Sequence, residues 1–313
     1  MKRARDVGRV AFARVCHTRF AFASRRAFAS EDEASSVAAD GGSASLAARA
    51  ARARALGATI GEASSARVQQ TIGADGTAPK FYKDVNVRET NGEWEIVLDE
   101  RALKTPKRAT YKFKTKALAI AVASEWAAQG ARIAPFTMPL TGLSATAIDH
   151  MGDAETRTLH VETLLKHFAT DPTRVRSADD AVLKKQKELH DPILAWARRE
   201  FGPVEVSHSI FGPPGDEKTD AALRKRLHGM CPWELTCAFA ICASTKSLLI
   251  GLRTIRGEMT VDEAIAAARV EEELQIAEWG LVEGGHDIDQ LDIRVRVTAP
   301  VLLMKFRAMK DRK

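Results

Sequence analysis

The segment 212–219 comes nearest to a catalytic motif, because it almost reproduces the glycine-rich loop that binds nucleotide phosphates in P-loop proteins. It follows an extended stretch and precedes a helical one, which is the context that such a loop needs. Glu217 stands where the motif requires glycine. A carboxylate there repels an anionic ligand and keeps the backbone away from the phosphates. We favour a structural loop between helices and keep a P-loop-like ATPase as an alternative.

Acidic and histidine side chains elsewhere suggest metal binding or hydrolysis. Asp287, Asp289 and Asp292 lack the spacing, the central glycine and the closing glutamate of a calcium loop. His286 and Asp287 could act as a base and its orienting acid, but no motif supplies a serine or cysteine nucleophile. The sequence therefore predicts no catalytic residue, no metal site and no cofactor.

A run of basic residues at 101–116 is interleaved with Tyr111 and Phe113, a combination that can bind nucleic acid. On a strand, the two aromatic residues share one face while alternate lysines occupy the other. The aromatic residues then fill a core and the lysines stay in water. Nucleic-acid binding by this basic strand is a second alternative that we do not favour.

Recognition of a protein partner is indicated by residues 271–287, which read EEELQIAEWGLVEGGHD. Read as one helix, they place Val270, Leu274, Ala277 and Leu281 on an apolar stripe that should face a core. The opposite face combines carboxylates with a tryptophan, the kind of anchor that dominates interfaces, and no Lys or Arg occurs between residues 269 and 294. We predict a partner-binding face formed by Glu272, Ile276, Trp279, Glu283, His286 and Asp287.

Two periodicities place these segments in an α+β protein with a small N-terminal antiparallel β domain followed by a larger α-helical domain. Apolar and polar residues alternate between positions 81 and 115, and Asn91-Gly92 supplies a tight hairpin turn. Helical periodicity begins at 116–129 and covers nearly all of the chain after residue 141. We predict one long helix at 232–257, a helix broken at Asp191-Pro192, and a last helix at 289–309.

The first eighty residues differ from the rest in charge. They carry 13 Lys+Arg and 7 Asp+Glu, whereas the other 233 residues carry 34 of each. The first thirty hold eight basic residues and one acid, which is typical of a mitochondrial or chloroplast transit peptide. We predict a transit peptide at 1–30, a disordered linker at 31–79, a small β domain with one helix at 80–140 and a helical domain at 141–313.

Several motifs resemble those of the mitochondrial ATP synthase assembly factor 2 family. The most specific is EEE-x-Q-I-x-x-WG-x-V-E-x-x-HD at 271–287. Similar segments cover most of residues 81–290 in the family's order, including FYKDVNV, WEIVLDERALKTP, ALAIAVASEWAAQG, PFTMPLTGLSATAID, HDPILAWARREFG and TKSLLIGLRTIRGEMTVDEAI.

The resemblance implies a chaperone and not an enzyme. It implies that the chain binds the unassembled α subunit of the F(1) sector of ATP synthase and prevents its aggregation before α/β assembly. The implied location is the mitochondrial matrix, with no cofactor and no nucleic-acid partner. No apolar run reaches the roughly 20 residues that a membrane span requires, so we expect no membrane insertion. We also expect a monomer.

Overall fold

The computed structural model describes residues 73, 75–209, 212–282 and 284–310. The predicted transit peptide and nearly all of the predicted linker lie outside the described residues. Within these ranges the chain forms six strands and ten α-helices, and it divides into two compact units. The first unit consists of the described residues up to Phe81 together with residues 128–138. The second unit holds 82–127 and everything from Pro139 onward.

The first unit contains a two-stranded antiparallel sheet, in which β1 (Ala78–Pro79) pairs with β6 (Arg132–Ile133). The Arg132 guanidinium supports this pairing by donating to the Thr77 carbonyl at 3.0 Å. A 3-10 helix, Pro135–Thr137, follows β6. The linker prediction is therefore wrong for residues 78 and 79, because their backbone pairs with another strand.

The second unit begins with a four-stranded antiparallel sheet around β3 (Glu93–Leu98). β2 (Val85–Thr90) pairs with β3 along its whole length through the predicted turn. Asn91 and Gly92 have φ values of 54° and 77°, as a two-residue hairpin turn requires. The other edge of β3 pairs with β4 (Arg101–Ala102) and β5 (Lys112–Phe113).

Helices make up most of the second unit and confirm the predicted α+β class. The first five are α1 (Lys116–Ala127), α2 (Pro139–Asp149), α3 (Ala154–Ala169), α4 (Asp180–Phe201) and α5 (Glu217–His228). The next five are α6 (Pro232–Thr245), α7 (Leu248–Ile255), α8 (Val261–Ala268), α9 (Val270–Trp279) and α10 (His286–Ala308). A shared core buries Leu164, Ile193, Leu235, Leu249 and Val297. None of the described helices has the length and apolar content needed to cross a membrane.

The second unit contains both the four-stranded sheet and the ten helices, so it extends across the predicted domain boundary at residue 140. The boundary between a β domain at 80–140 and a helical domain at 141–313 stays a prediction. One local contact shows how the two regions are joined. The Glu125 carboxylate on α1 accepts the amides of Leu140 and Thr141 at 2.8 and 2.7 Å, and so caps the start of α2.

The single helix predicted at 232–257 is wrong, because α6 and α7 are separate helices. Lys246 between them has φ 60°, and the Ser247 hydroxyl accepts the Ile250 amide at 3.1 Å as the cap of α7. The buried Asp171 carboxylate accepts the Ser247 hydroxyl at 2.9 Å and the Leu249 amide at 3.2 Å. The apolar run concealed this break, because Asp171 lies 76 positions away from Ser247 in the sequence.

The predicted break at Asp191-Pro192 is also wrong, because α4 continues through Pro192. A proline inside a helix costs about 3 kcal/mol. The residues just beyond it, Ile193, Leu194 and Trp196, are all buried. Full burial of a large apolar side chain contributes about 1.5–3 kcal/mol. Packing of the turn beyond the proline therefore outweighs the lost backbone hydrogen bond.

Candidate partner-binding surface

The acidic segment forms a helical hairpin and not the single helix predicted for residues 271–287. α9 ends at Trp279 because Gly280 has φ 87°, and α10 begins at His286 after a loop in which Gly284 has φ 74°. Glycine reaches these φ values without the steric penalty of a Cβ atom. We name residues 270–295 the acidic hairpin.

The acidic hairpin is anchored at its base. Val270, the first residue of α9, is buried, and so is the neighbouring Arg269. The Arg269 guanidinium donates to Glu273 at 3.1 Å and to Asp289 at 3.2 Å. One buried cation thus joins the start of α9 to the first turn of α10.

The apolar stripe that was predicted to face a core is buried only at Val270. Leu274 is half-buried, whereas Ala277 and Leu281 are exposed. Leu281 left the predicted stripe because the chain leaves helical geometry at Gly280, whereas Ala277 is exposed although it lies within α9. α9 fully buries only its first residue, and Ala277, Glu278 and Trp279 at its end are exposed.

Three of the predicted partner-binding residues lie on α9. Glu272 is exposed and Ile276 is half-buried. Trp279 exposes 74% of its surface, an unusual degree for a side chain with so much apolar area. This arm of the hairpin therefore presents one carboxylate and one large aromatic side chain to solvent.

Two more of the predicted residues lie on the other arm. His286 and Asp287 are half-buried in the first turn of α10, and His286 Nδ1 accepts the Val282 amide at 3.3 Å. Asp287 Oδ1 is buried and has no hydrogen-bond partner in the described residues. Glu283 lies outside the described residues. The helix break means that the predicted residues do not share one helix face.

Five further apolar side chains of the hairpin are exposed, and the sequence analysis did not assign them to the surface. They are Leu281, Val282, Ile288, Leu291 and Val295. With Trp279 they are six of the eleven large apolar side chains that are exposed within the described ranges. The three on α10 are spaced by three and four residues, so they line one face. That spacing was readable in the sequence and predicts a second apolar face on the last helix.

The charge around these apolar side chains is predominantly negative. Some carboxylates are paired within the chain, such as Asp292, which contacts Arg296 at 2.8 Å. Glu272 and Glu278 on α9 form no ion pair within the described part of the chain. A partner that supplies Lys or Arg can neutralise these carboxylates, so the surface combines apolar contact with a preference for basic groups.

The alternative nucleotide site is occupied by the protein's own groups. The Asp216 carboxylate accepts the Thr219 amide at 2.8 Å at the start of α5, where a P-loop would bind phosphate. Hydrogen bonds from Thr219 lower the pKa of Asp216, so this carboxylate is ionised. The Thr219 hydroxyl donates to the Pro203 carbonyl at 2.7 Å, and Glu217 lies in the first turn. An internal anion therefore holds the position that an external phosphate needs.

The basic strand has the arrangement expected for a structural element. Tyr111 and Phe113 are buried, while Lys112 contacts Glu93 at 3.7 Å and Glu95 at 3.8 Å. Lys107 donates to the Asp149 carbonyl at 3.1 Å. In the ranges that the structure covers, no cluster of three His, Cys, Asp or Glu side chains could hold a metal ion.

Comparisons with known proteins identify relatives of this chain. A family model described as the ATP12 chaperone protein matches residues 79–198. The mitochondrial protein atp12 of Schizosaccharomyces pombe is 25% identical over 239 residues, which cover 72% of this chain and 82% of that protein. The mitochondrial protein ATP12 of Saccharomyces cerevisiae is 25% identical over 275 residues, which cover 73% of this chain and 85% of that protein.

Solved structures agree with these sequence matches. The crystal structure of Atp12 from Paracoccus denitrificans is 29% identical, has a TM-score of 0.66, and covers 73% of this chain and 98% of its own. The crystal structure of a putative chaperone from Agrobacterium tumefaciens is 26% identical and has the same TM-score of 0.66. The match covers 74% of this chain and 86% of that chain.

The family model, the curated relatives and the similarity to solved ATP12 structures place this protein in the class of chaperones. The family model over residues 79–198 and the curated ATP12 relatives support the ATP12 chaperone family for this chain. This confirms the ATP synthase assembly-factor family predicted from the sequence motifs.

Proposed function

We propose that this chaperone binds the unassembled α subunit of the F(1) sector of ATP synthase and prevents its aggregation before it joins the β subunit. One observation carries the proposal. Six of the eleven exposed large apolar side chains in the described residues fall between positions 279 and 295, near Glu272 and Glu278, which form no ion pair among the described residues. A folded monomer rarely leaves such a patch open unless another protein covers it.

Binding to the acidic hairpin uses two kinds of contact. Trp279 and the apolar residues after it cover apolar surface of the client, while Glu272 and Glu278 attract its Lys or Arg side chains. Tryptophan is among the residues that contribute most to binding energy, and opposite charges raise the rate of encounter. We infer that the hairpin covers the α-subunit surface that is later buried against the β subunit.

The proposed location is the mitochondrial matrix. The relatives from both yeasts are named mitochondrial proteins, and the first thirty residues have the composition of a transit peptide. N-terminal sequencing of the organelle-resident protein tests this proposal. A processed terminus near Ser30 supports it, and an intact Met1 contradicts it.

The function is tested by diluting denatured α subunit into buffer and following aggregation by light scattering. We expect an equimolar amount of the full chain to suppress aggregation of the α subunit. The β subunit, diluted in the same way, is the matched control, and its aggregation should be unaffected. Equal suppression of both subunits, or of neither, contradicts a chaperone that is specific for α.

A further inference from the structure

α10 has a second apolar face that the fold does not use. Ile288, Leu291, Val295 and Leu302 are exposed on this helix, although each has a large apolar side chain. Their spacing of three, seven and fourteen residues places them on one side of a helix. We name these four residues the α10 seam. The opposite side of α10 packs into the core of the second unit through Ile293 and Val297.

The spacing of the α10 seam is that of a helix-packing surface. Apolar residues at the first and fourth positions of a seven-residue repeat form the contact line between two paired helices. Ile288, Leu291, Val295 and Leu302 occupy the first, fourth, first and first positions of such a repeat. The ends of this line lie about 21 Å apart at ~1.5 Å of rise per residue, and Thr298 occupies the fourth position between Val295 and Leu302.

The surroundings of the α10 seam favour a basic occupant. Asp287 flanks its most exposed part, where Asp292 is paired with Arg296 and Arg294 with Asp262, and Glu272 and Glu278 on α9 have no ion pair among the described residues. A second copy of this chain suits the seam poorly. Two copies related by a two-fold axis at the exposed part would bring these carboxylates together, and like charges at an interface are costly.

A helical segment fits the α10 seam better than an extended one does. The backbone groups of α10 are hydrogen-bonded within the helix, so they cannot pair with an added strand. The exposed ridge has the 3–4 residue period that the grooves of another helix accept.

We propose that the α10 seam binds an amphipathic helix of the client, with apolar residues along one stripe and Lys or Arg beside it. This inference rests on the proposed function, since it specifies which part of the α subunit the chaperone covers. It extends the contact surface beyond the predicted residues to a part of α10 that lies further along the chain.

Site-specific photocrosslinking tests the shape of the occupant. A photoreactive amino acid is placed in the full chain at Ile288, Leu291 or Val295, and the crosslinked position in the α subunit is mapped by mass spectrometry. We expect all three sites to crosslink to one segment of the α subunit. The crosslinked residues in that segment should be three, four or seven residues apart, as on one face of a helix, with Lys or Arg nearby. Crosslinks two residues apart, crosslinks scattered over several segments, or their absence despite binding would overturn the proposal.

A matched pair of substitutions tests the contribution of the seam to affinity. Leu291 exposes 57% of its surface, and Leu159 on α3 exposes 55%. We expect Leu291→Lys to weaken binding of the α subunit at least about tenfold, as loss of a central interface contact does. Leu159→Lys should change it less than about twofold, and both variants should melt like the wild type.

The outcomes separate this inference from the function on which it depends. If the wild-type chain does not bind the α subunit, the proposed function fails, and the helical occupant fails with it. If the wild type binds and Leu291→Lys binds equally well, only the seam proposal fails. If Leu291→Lys unfolds the chain, the crosslinks from the three sites decide the question.

Discussion

Glu272 and Glu278 are exposed carboxylates of α9 without an ion pair among the described residues. An exposed side chain of this kind contributes little to folding, typically less than ~0.5 kcal/mol. The same carboxylate can contribute more at an interface, where it meets a cation in a region from which water is excluded. At the scale of single residues, stability and binding should therefore respond to different substitutions.

Substitution of Glu272 by Lys should weaken binding of the α subunit with little effect on the melting temperature. Glu272→Lys reverses a charge that faces the proposed basic partner, and it removes a favourable charge from the first turn of α9, worth about 0.3–1 kcal/mol. Glu155→Lys is the matched control, because Glu155 is an exposed acid in the first turn of α3. Pull-down of the α subunit by both variants is the measurement. Equal loss of binding in the two would show that net charge alone is responsible.

His190 should make folding stability depend on pH. It is buried, and its Nε2 donates to the Ala267 carbonyl at 2.8 Å, while Nδ1 has no partner in the described residues. Burial is the main reason that the pKa of His190 is lowered, and Arg176 lowers it further. The folded state therefore keeps the ring neutral, whereas the unfolded chain takes up a proton below about pH 6.5. The stability that neutral His190 contributes is present above that pH and is lost as the pH falls.

Urea unfolding at about pH 7.5 and about pH 5.5 measures this loss. We expect the unfolding midpoint of the wild type to fall at the lower pH, and His190→Gln to show a smaller fall, because glutamine can donate to Ala267 without titrating. His228→Gln alters an exposed histidine on α5 and serves as the control. If His190→Gln keeps the full wild-type pH dependence, other groups are responsible for it.

At the scale of elements, the acidic hairpin is joined to the fold through few groups. Val270 is the only buried residue of α9, and Arg269 links Glu273 to Asp289. Isolated helices shorter than about 12–15 residues are marginally stable in water, and α9 has 10 residues. The stability of α9 should therefore depend on this buried arginine.

Replacement of Arg269 by methionine should loosen the hairpin without unfolding the core. Methionine keeps much of the buried volume but removes the bonds to Glu273 and Asp289. We expect faster amide hydrogen exchange at residues 270–290 and unchanged exchange in α6 and α7. Arg294→Met is the control, because it breaks the exposed ion pair between Arg294 on α10 and Asp262 on α8, and it should have little effect. Unchanged exchange in Arg269→Met would show that packing alone holds the hairpin.

Secondary-structure elements that depend only on residues close in sequence could be predicted. The β2–β3 hairpin follows from alternation and from Asn91-Gly92, which adopts the required φ values without help from distant residues. The break between α6 and α7 could not be predicted, since it depends on Asp171 from a remote segment. Gly280 was a visible signal for the end of α9, because glycine commonly ends helices, but the periodicity beyond it suggested one continuous helix.

At the scale of the whole molecule, the fold class and the family could be predicted, because motifs over most of residues 81–290 occur in the family's order. The extent of the candidate surface could not. The sequence analysis treated Leu281 as core and assigned no residue of the last helix beyond Asp287 to the partner-binding surface. Burial depends on which neighbours cover a side chain, and the pattern of one segment does not contain that information. The partner-binding roles of Glu272, Ile276, Trp279, Glu283, His286 and Asp287 stay predictions.

The most direct test of the whole proposal is the affinity of the chain for the α subunit when Trp279 is replaced by alanine. Loss of a central tryptophan from an interface costs at least about 2 kcal/mol, so we expect Trp279→Ala to weaken binding by roughly thirtyfold. Its melting temperature should not change, because Trp279 is 74% exposed. Phe81→Ala is the matched control, since Phe81 is 71% exposed but belongs to the other unit, and it should keep wild-type affinity. Wild-type affinity in folded Trp279→Ala would contradict the proposal that the acidic hairpin binds the α subunit.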